Sequence, residues 1–123
     1  MAASKQVAYP RRGEVYLIAF DPTLGAEIQK TRPAVILQND IANRFSRITI
    51  AAAITSRVSD RLYPTNVLVT PPEGGLTQES VVLLNHIRSI DKQRLIRRLG
   101  ALKPETMEHI KRAIQISLGL IDV

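Results

Sequence analysis

Two stretches of this 123-residue chain carry residue types suited to handling a phosphate. The first is Arg32, immediately before Pro33 and the short apolar run Ala34 to Gln38. Proline pushes the residue before it into an extended conformation, so the guanidinium is held at the mouth of a strand and not on a loop tip. The second is Thr55-Ser56, two hydroxyls ending the run Ile48 to Thr55, with Arg57 and Arg61 following. A fixed guanidinium offers paired donors to phosphate oxygens, and a hydroxyl adds another. Such donors stabilise charge that grows on the non-bridging oxygens of a pentacoordinate phosphorus. Arginine stays protonated, which suits it to electrostatic or acid duty and makes it a poor base. Each group also has an ordinary role open to it. Arg32 can be a surface residue flanking a strand, and Thr55 a strand-end hydroxyl capping nearby backbone.

Other chemistries find little support. His86 and His109 are the only histidines and there is no cysteine, which excludes disulfides and thiolate metal sites and makes a zinc centre improbable. No glycine-rich phosphate loop ending in Lys-Ser/Thr and no dinucleotide fingerprint is present. His109 falls opposite much of an apolar helical face and reads as solvated, whereas His86 follows a strand and is able to face a groove.

The elements that must position these groups are short. Glu14 to Phe20 is rich in branched and aromatic residues and reads as the first strand. Asp21 to Thr31 has almost no period and reads as a long hairpin loop arching over a site, with Arg32 at its base. Ala34 to Gln38 is a buried strand closed by the turn signals Asn39 and Asp40. One helical turn at Ile41 to Phe45 precedes the strand ending at Thr55. Asn66 to Thr70 and Ser80 to Leu84 supply two more strands, the latter running into a bent continuation, Asn85 to Ile90. Asp91 to Leu102 fits a short strand or a helical turn equally well. Pro104 opens a helix whose face Met107, Ile110, Ala113, Ile114 and Leu118 is apolar, with Gly119 as its stop. Several short strands separated by turn-rich loops give a small β-leaning barrel closed by a C-terminal helix.

Apolar residues make up 45% of the chain but aromatics only 4%, so the core must come from Ile, Leu, Val and Ala. The length fits one domain, residues 11–123, after a loose polar terminus over residues 1–10. The net charge of +6 attracts polyanions, nucleic acid first and an acidic protein second. No apolar run is long enough to span a bilayer, and the first ten residues lack the apolar core of a signal peptide. A cytoplasmic location is expected.

Five segments, in order, carry a family resemblance: Arg12-Gly13-Glu14-Val15-Tyr16, Asp21 to Glu27, Thr31 to Asp40, Ala52-Ala53-Ile54-Thr55-Ser56 and Ile87 to Leu95. Together they resemble the MazF/PemK/Kid toxins, and the tail Gln115 to Asp122 is similar to that of the Gram-positive-type MazF proteins. The resemblance covers Arg11 to Val123. It implies a mainly β (α+β) fold, an SH3-like small barrel with added helices, and a homodimer that is the toxin half of a type II toxin–antitoxin pair. It also implies metal-independent, sequence-specific cleavage of single-stranded RNA with no cofactor. In that mechanism the 2′-hydroxyl attacks the adjacent phosphate, leaving a 2′,3′-cyclic phosphate and a free 5′-hydroxyl. The family's catalytic arginine falls on Arg32, its threonine on Thr55, and a supporting loop glutamate on Glu27.

Departures from the family pattern bear on specificity. Relatives often carry Gln-Gly-Gly before the Arg-Pro motif, where this chain has Ile28-Gln29-Lys30-Thr31. The loop is stiffer for the loss of glycine, and Lys30 gains a possible phosphate contact. Many relatives have Glu-Gln or Asp-Gln where this chain has Asn85-His86, so His86 is expected to touch a base edge. Asn39, Ser56 and Tyr63 complete the expected RNA contacts, Tyr63 by stacking. The resemblance further implies a MazE-like antitoxin, an acidic extended peptide laid along the basic groove. The dimer interface is expected partly on the C-terminal helix and nearby strands. A different class is a non-catalytic toxin of the same fold, similar to the CcdB-type gyrase poisons, which would need its C-terminal residues instead of an Arg32–Thr55 pair. A plain RNA-binding barrel is third, and it would carry more stacking aromatics.

Overall fold

The computed structural model describes residues 9–20 and 31–123. Its strands are β1 (Glu14–Ala19), β2 (Thr31–Ile36), β3 (Ile48–Thr55), β4 (Asn66–Val69), β5 (Ser80–Asp91) and β6 (Leu95–Ala101). Its helices are α1 (Asp40–Phe45) and α2 (Pro104–Ser117), with single 3-10 turns at Glu73–Gly75 and Lys92–Arg94. The strands form one antiparallel sheet in the order β4-β5-β3-β2-β1-β6.

Both faces of the central strands are covered, which is why β2 and β3 read as continuous apolar runs and not as alternations. Val35, Ala52 and Ile54 join Val15, Val67, Val82, Leu84 and the α2 residues Ile110 and Ala113 in one core. Ala34, Ile36, Ala51 and Ala53 join Ile18, Phe20 and Ile90 in a second on the opposite face. The curled sheet closes where the Glu73–Gly75 turn, following edge strand β4, meets the other edge strand, β6. A Cβ on Gly75 would lie 1.9 Å from the Leu99 carbonyl oxygen, and its φ is +73°, so only glycine permits this contact. The segment Pro71 to Gly75 therefore stops a strand and also seals the barrel.

Several boundaries differ from expectation for identifiable reasons. Strand β2 runs Thr31–Ile36, not Ala34 to Gln38, so it starts and ends earlier than expected and holds Pro33 as its third residue. Strand β1 ends at Ala19 and β4 at Val69, each one residue short of expectation. The bent continuation belongs to one long β5, whose bend is a bulge: between Ala52–Ile87 and Ile54–Val82 the register shifts, with the surplus residues on β5. The undecided stretch after Ile90 is both things at once. The Asp91 side chain accepts the Gln93 N–H at 2.9 Å, holding the Lys92–Arg94 turn, and β6 follows.

Helix α2 starts at Pro104, and the Glu73 carboxylate accepts the Lys103 N–H just before it at 2.8 Å. Ile110 and Ala113 are buried, with Met107 and Ile114 packed at the rim. Leu118 lies past the last turn and is 61% exposed, so the apolar stripe ends sooner than its spacing suggested. Of the expected loose terminus, residues 1–8 lie outside the described residues, while Pro10 is buried. Among the described residues, no helix is long and apolar enough to cross a membrane.

Candidate active site

The register of β2 with β3 decides what stands beside what. Ala34 faces Ala53, Val35 faces Ala52, and Ile36 faces Ala51. Side chains alternate faces along a strand, so Arg32 shares a face with Ala34, and Thr55 shares that face with Ala53. Continuing the same register outward sets Arg32 opposite Thr55.

The ladder stops before reaching them, and Pro33 is the reason. At the other end of β2, the Leu37 N–H donates to the Ile50 carbonyl at 2.8 Å. Odd-numbered residues of β2 therefore direct their backbone groups at β3. Pro33 is one of these, and it has no N–H to give. On its other side it still pairs with Leu17 of β1. Proline thus sits inside a sheet at the point where one of its two neighbours departs.

The parting strands leave a cleft of about 520 Å³. Arg32 and Thr55 line it from the two strands, Ser56 and Arg57 from the segment just after β3, and Thr77 and Gln78 from the β4–β5 connection. Ile54 and Leu76, both buried, form its base. Arg32 is exposed, but its backbone pairs with Ile18 of β1, so the residue is held inside a strand. Thr55 ends β3, and its Oγ1 accepts the Arg57 N–H at 3.1 Å. The capping role open to Thr55 is therefore realised. It occupies an acceptor site on the oxygen and leaves the hydroxyl proton to donate elsewhere. The cleft lining among the described residues holds two guanidiniums and no carboxylate or imidazole. That composition suits an anion whose charge increases during reaction.

The other expected residues lie elsewhere. Asn39 follows the far end of β2, where its Oδ1 accepts the Ala42 N–H at 2.8 Å as the N-cap of α1. Tyr63 is exposed in the turn before β4, its N–H donating to Asn66 Oδ1 at 3.0 Å. His86 is exposed on the β5 bulge. None of the three lines the cleft. Glu27 and Lys30, and the loop expected to arch over the site, lie outside the described residues. Thr77 and Gln78 were not foreseen, because they reach the cleft through the β4–β5 connection and carry no local motif beyond a polar stretch after Gly74-Gly75.

Fold and cleft together define a class: a small antiparallel barrel, backed by a C-terminal helix, with a cationic hydroxyl-bearing cleft where an internal ladder is released. The model of the PemK-like, MazF-like toxins of type II toxin–antitoxin systems matches residues 11–118, and the chain belongs to that family. It is 44% identical over 112 residues to the endoribonuclease EndoA of Bacillus subtilis (strain 168), covering 91% of this chain and 97% of that relative. It is 44% identical over 110 residues to the endoribonuclease MazF of Staphylococcus saprophyticus, covering 89% of this chain and 92% of that one. Among solved structures, a MazE–MazF structure from Deinococcus radiodurans superposes with a TM-score of 0.80 at 26% identity, covering 94% of this chain and 100% of that chain. An endoribonuclease in complex with its cognate antitoxin from a mycobacterial species gives 0.74 at 31% identity, covering 93% and 99%.

Proposed function

We propose that this protein is the toxin of a type II toxin–antitoxin system and acts as a metal-independent endoribonuclease on single-stranded messenger RNA. The observation that carries the chemistry is the cleft itself, which Arg32 and Thr55 line together at the open end of β2 and β3. The 2′-oxygen attacks the neighbouring phosphorus, the bond from phosphorus to the 5′-oxygen breaks, and a 2′,3′-cyclic phosphate and a 5′-hydroxyl result. The 2′-proton goes to a base and the departing 5′-oxygen takes one up. Arg32 binds the non-bridging oxygens and the Thr55 hydroxyl donates to them, both more strongly as charge builds. Glu27 is assigned as a supporting group in proton transfer. Ser56 contacts RNA within the cleft, Tyr63, His86 and the side-chain amide of Asn39 contact it beyond, and Lys30 is a further RNA contact.

The related mycobacterial endoribonuclease is found in complex with its cognate antitoxin, and a basic cleft is suited to an acidic extended peptide that lays carboxylates where phosphates otherwise go. A MazE-like antitoxin, a homodimeric toxin and a cytoplasmic place of work complete the reading.

The test is end chemistry on a long single-stranded RNA in EDTA, wild type beside Arg32→Ala. Discrete fragments with 5′-hydroxyl ends, lost in the variant, are expected. Intact RNA with folded wild type would sink the nuclease reading and favour a toxin that acts by protein contact.

A further inference from the structure

We propose that Arg57 is a second phosphate-binding residue of the cleft, gripping the phosphate next to the scissile one. This rests on the endoribonuclease reading above and adds a substrate contact to it.

Three observations carry the assignment. Arg57 lines the same cleft as Arg32. Its own N–H donates to Thr55 Oγ1, which ties the start of its side chain to the reacting centre. Two residues of chain span at most roughly 6 to 7 Å, and the guanidinium reaches further on its own stem. The guanidinium therefore has the reach to meet the phosphate next to one bound at Thr55. The third observation is a contrast with four of the other arginines. Arg98 pairs with Glu14 at 2.8 Å, Arg94 donates to the Ala19 carbonyl at 3.2 Å, Arg12 donates to the Leu37 carbonyl at 2.8 Å, and Arg88 lies 5.1 Å from the Phe20 ring centre. Those side chains hold the barrel together. Arg57 is exposed, and among the described residues no carboxylate pairs with it. Two guanidiniums in one cleft repel each other, a cost that an anionic strand offsets by placing successive phosphates against them.

The two arginines then divide the work. Arg32 acts on the phosphate whose charge changes in the reaction. Arg57 acts on one whose charge does not, so it binds ground state and transition state alike. Losing such a contact raises KM and spares kcat.

The experiment uses the full chain and two substrates: a cleavable single-stranded RNA, and an all-2′-O-methyl strand of the same sequence that binds without being cut. Arg57→Gln should raise KM about tenfold on the first, with kcat within a factor of about two. On the second, the slope of log K against log salt should become shallower by about 0.7, the share of one phosphate contact on a single strand. Arg57→Lys should return the slope, because the charge is kept, while KM stays above wild type because the fork is lost. Arg47→Gln, at the far end of β3 from Thr55, should leave the slope unchanged. An unchanged slope for Arg57→Gln in a wild type that cuts RNA overturns this proposal alone, as does a loss confined to kcat. A folded wild type that neither binds nor cuts overturns the nuclease reading and this proposal with it.

Discussion

The two ends of the β2–β3 ladder use similar polar residues for opposite purposes. At the α1 end everything is satisfied. Asn43 is fully buried; its Oδ1 accepts from Gln38 Nε2 at 3.0 Å and Thr49 Oγ1 at 2.8 Å, and its Nδ2 donates to the Gln38 carbonyl at 2.8 Å and Asp40 Oδ1 at 3.2 Å. The Lys92 amine donates to the Asn43 carbonyl, and Asp40 Oδ1 takes the Arg12 N–H at 2.7 Å. At the other end Pro33 releases the strands, and the guanidiniums and hydroxyls face a cleft. A polar group that finds its partners inside the protein stabilises the fold. One held in place with donor capacity left over is available to a ligand. The difference lies in the partners and not in the residue types.

This contrast can be broken by substitution. The largest effect belongs to Arg32→Ala, which should lower the cleavage rate about a hundred- to a thousandfold while the denaturation midpoint stays near wild type. A variant that loses stability instead would place Arg32 with the structural polar groups. Asn43→Ala should do the reverse. It strands several buried partners and should cost about 2 to 4 kcal/mol in urea unfolding, with cleavage per folded molecule retained. A milder loss comes from Thr55→Val, which removes both the proton offered to the cleft and the acceptor for the Arg57 N–H. A fall in kcat of about tenfold or more is expected, recovered largely by Thr55→Ser.

The smallest effect lies away from both ends. Burial first, and the Glu14 carboxylate second, raise the Tyr16 phenol above its ordinary range. Above the ordinary value of about 10, the unfolded chain gives up that proton before the folded one does, so the folded state binds more protons and stability falls as pH rises. The contribution is fully present below that value and is lost as pH rises through the raised one. Urea unfolding at about pH 9 and about pH 11 should show a smaller alkaline loss for Tyr16→Phe than for wild type. An equal loss in both would assign the alkaline sensitivity to another group.

How legible each part was follows from how local its cause is. Helix α2 could be read because Pro104 at its start and Gly119 beyond its end are chain-local signals. The apolar strands could be read because burial on both faces leaves a run that no loop would carry. The start of β2 was misread because proline inside a sheet is normally an edge feature. Here the residue is internal by strand order, yet it stands where β3 has already departed. The stretch from Asp91 to Leu102 stayed open because a 3-10 turn and a strand adjoin there, and no single period describes both.

The sequence by itself determined the family, the single mainly β domain and the candidacy of Arg32 and Thr55, because each of these is carried by residue type and order along the chain. Tertiary structure alone decided that those two residues line one cleft. They are far apart in sequence, and only the register Ala34–Ala53 aligns them. It alone brought Thr77 and Gln78 to the same cleft, and it left Asn39, Tyr63 and His86 outside. Pairing between strands is a long-range choice made by the packing of whole faces, and no residue at the cleft encodes it locally.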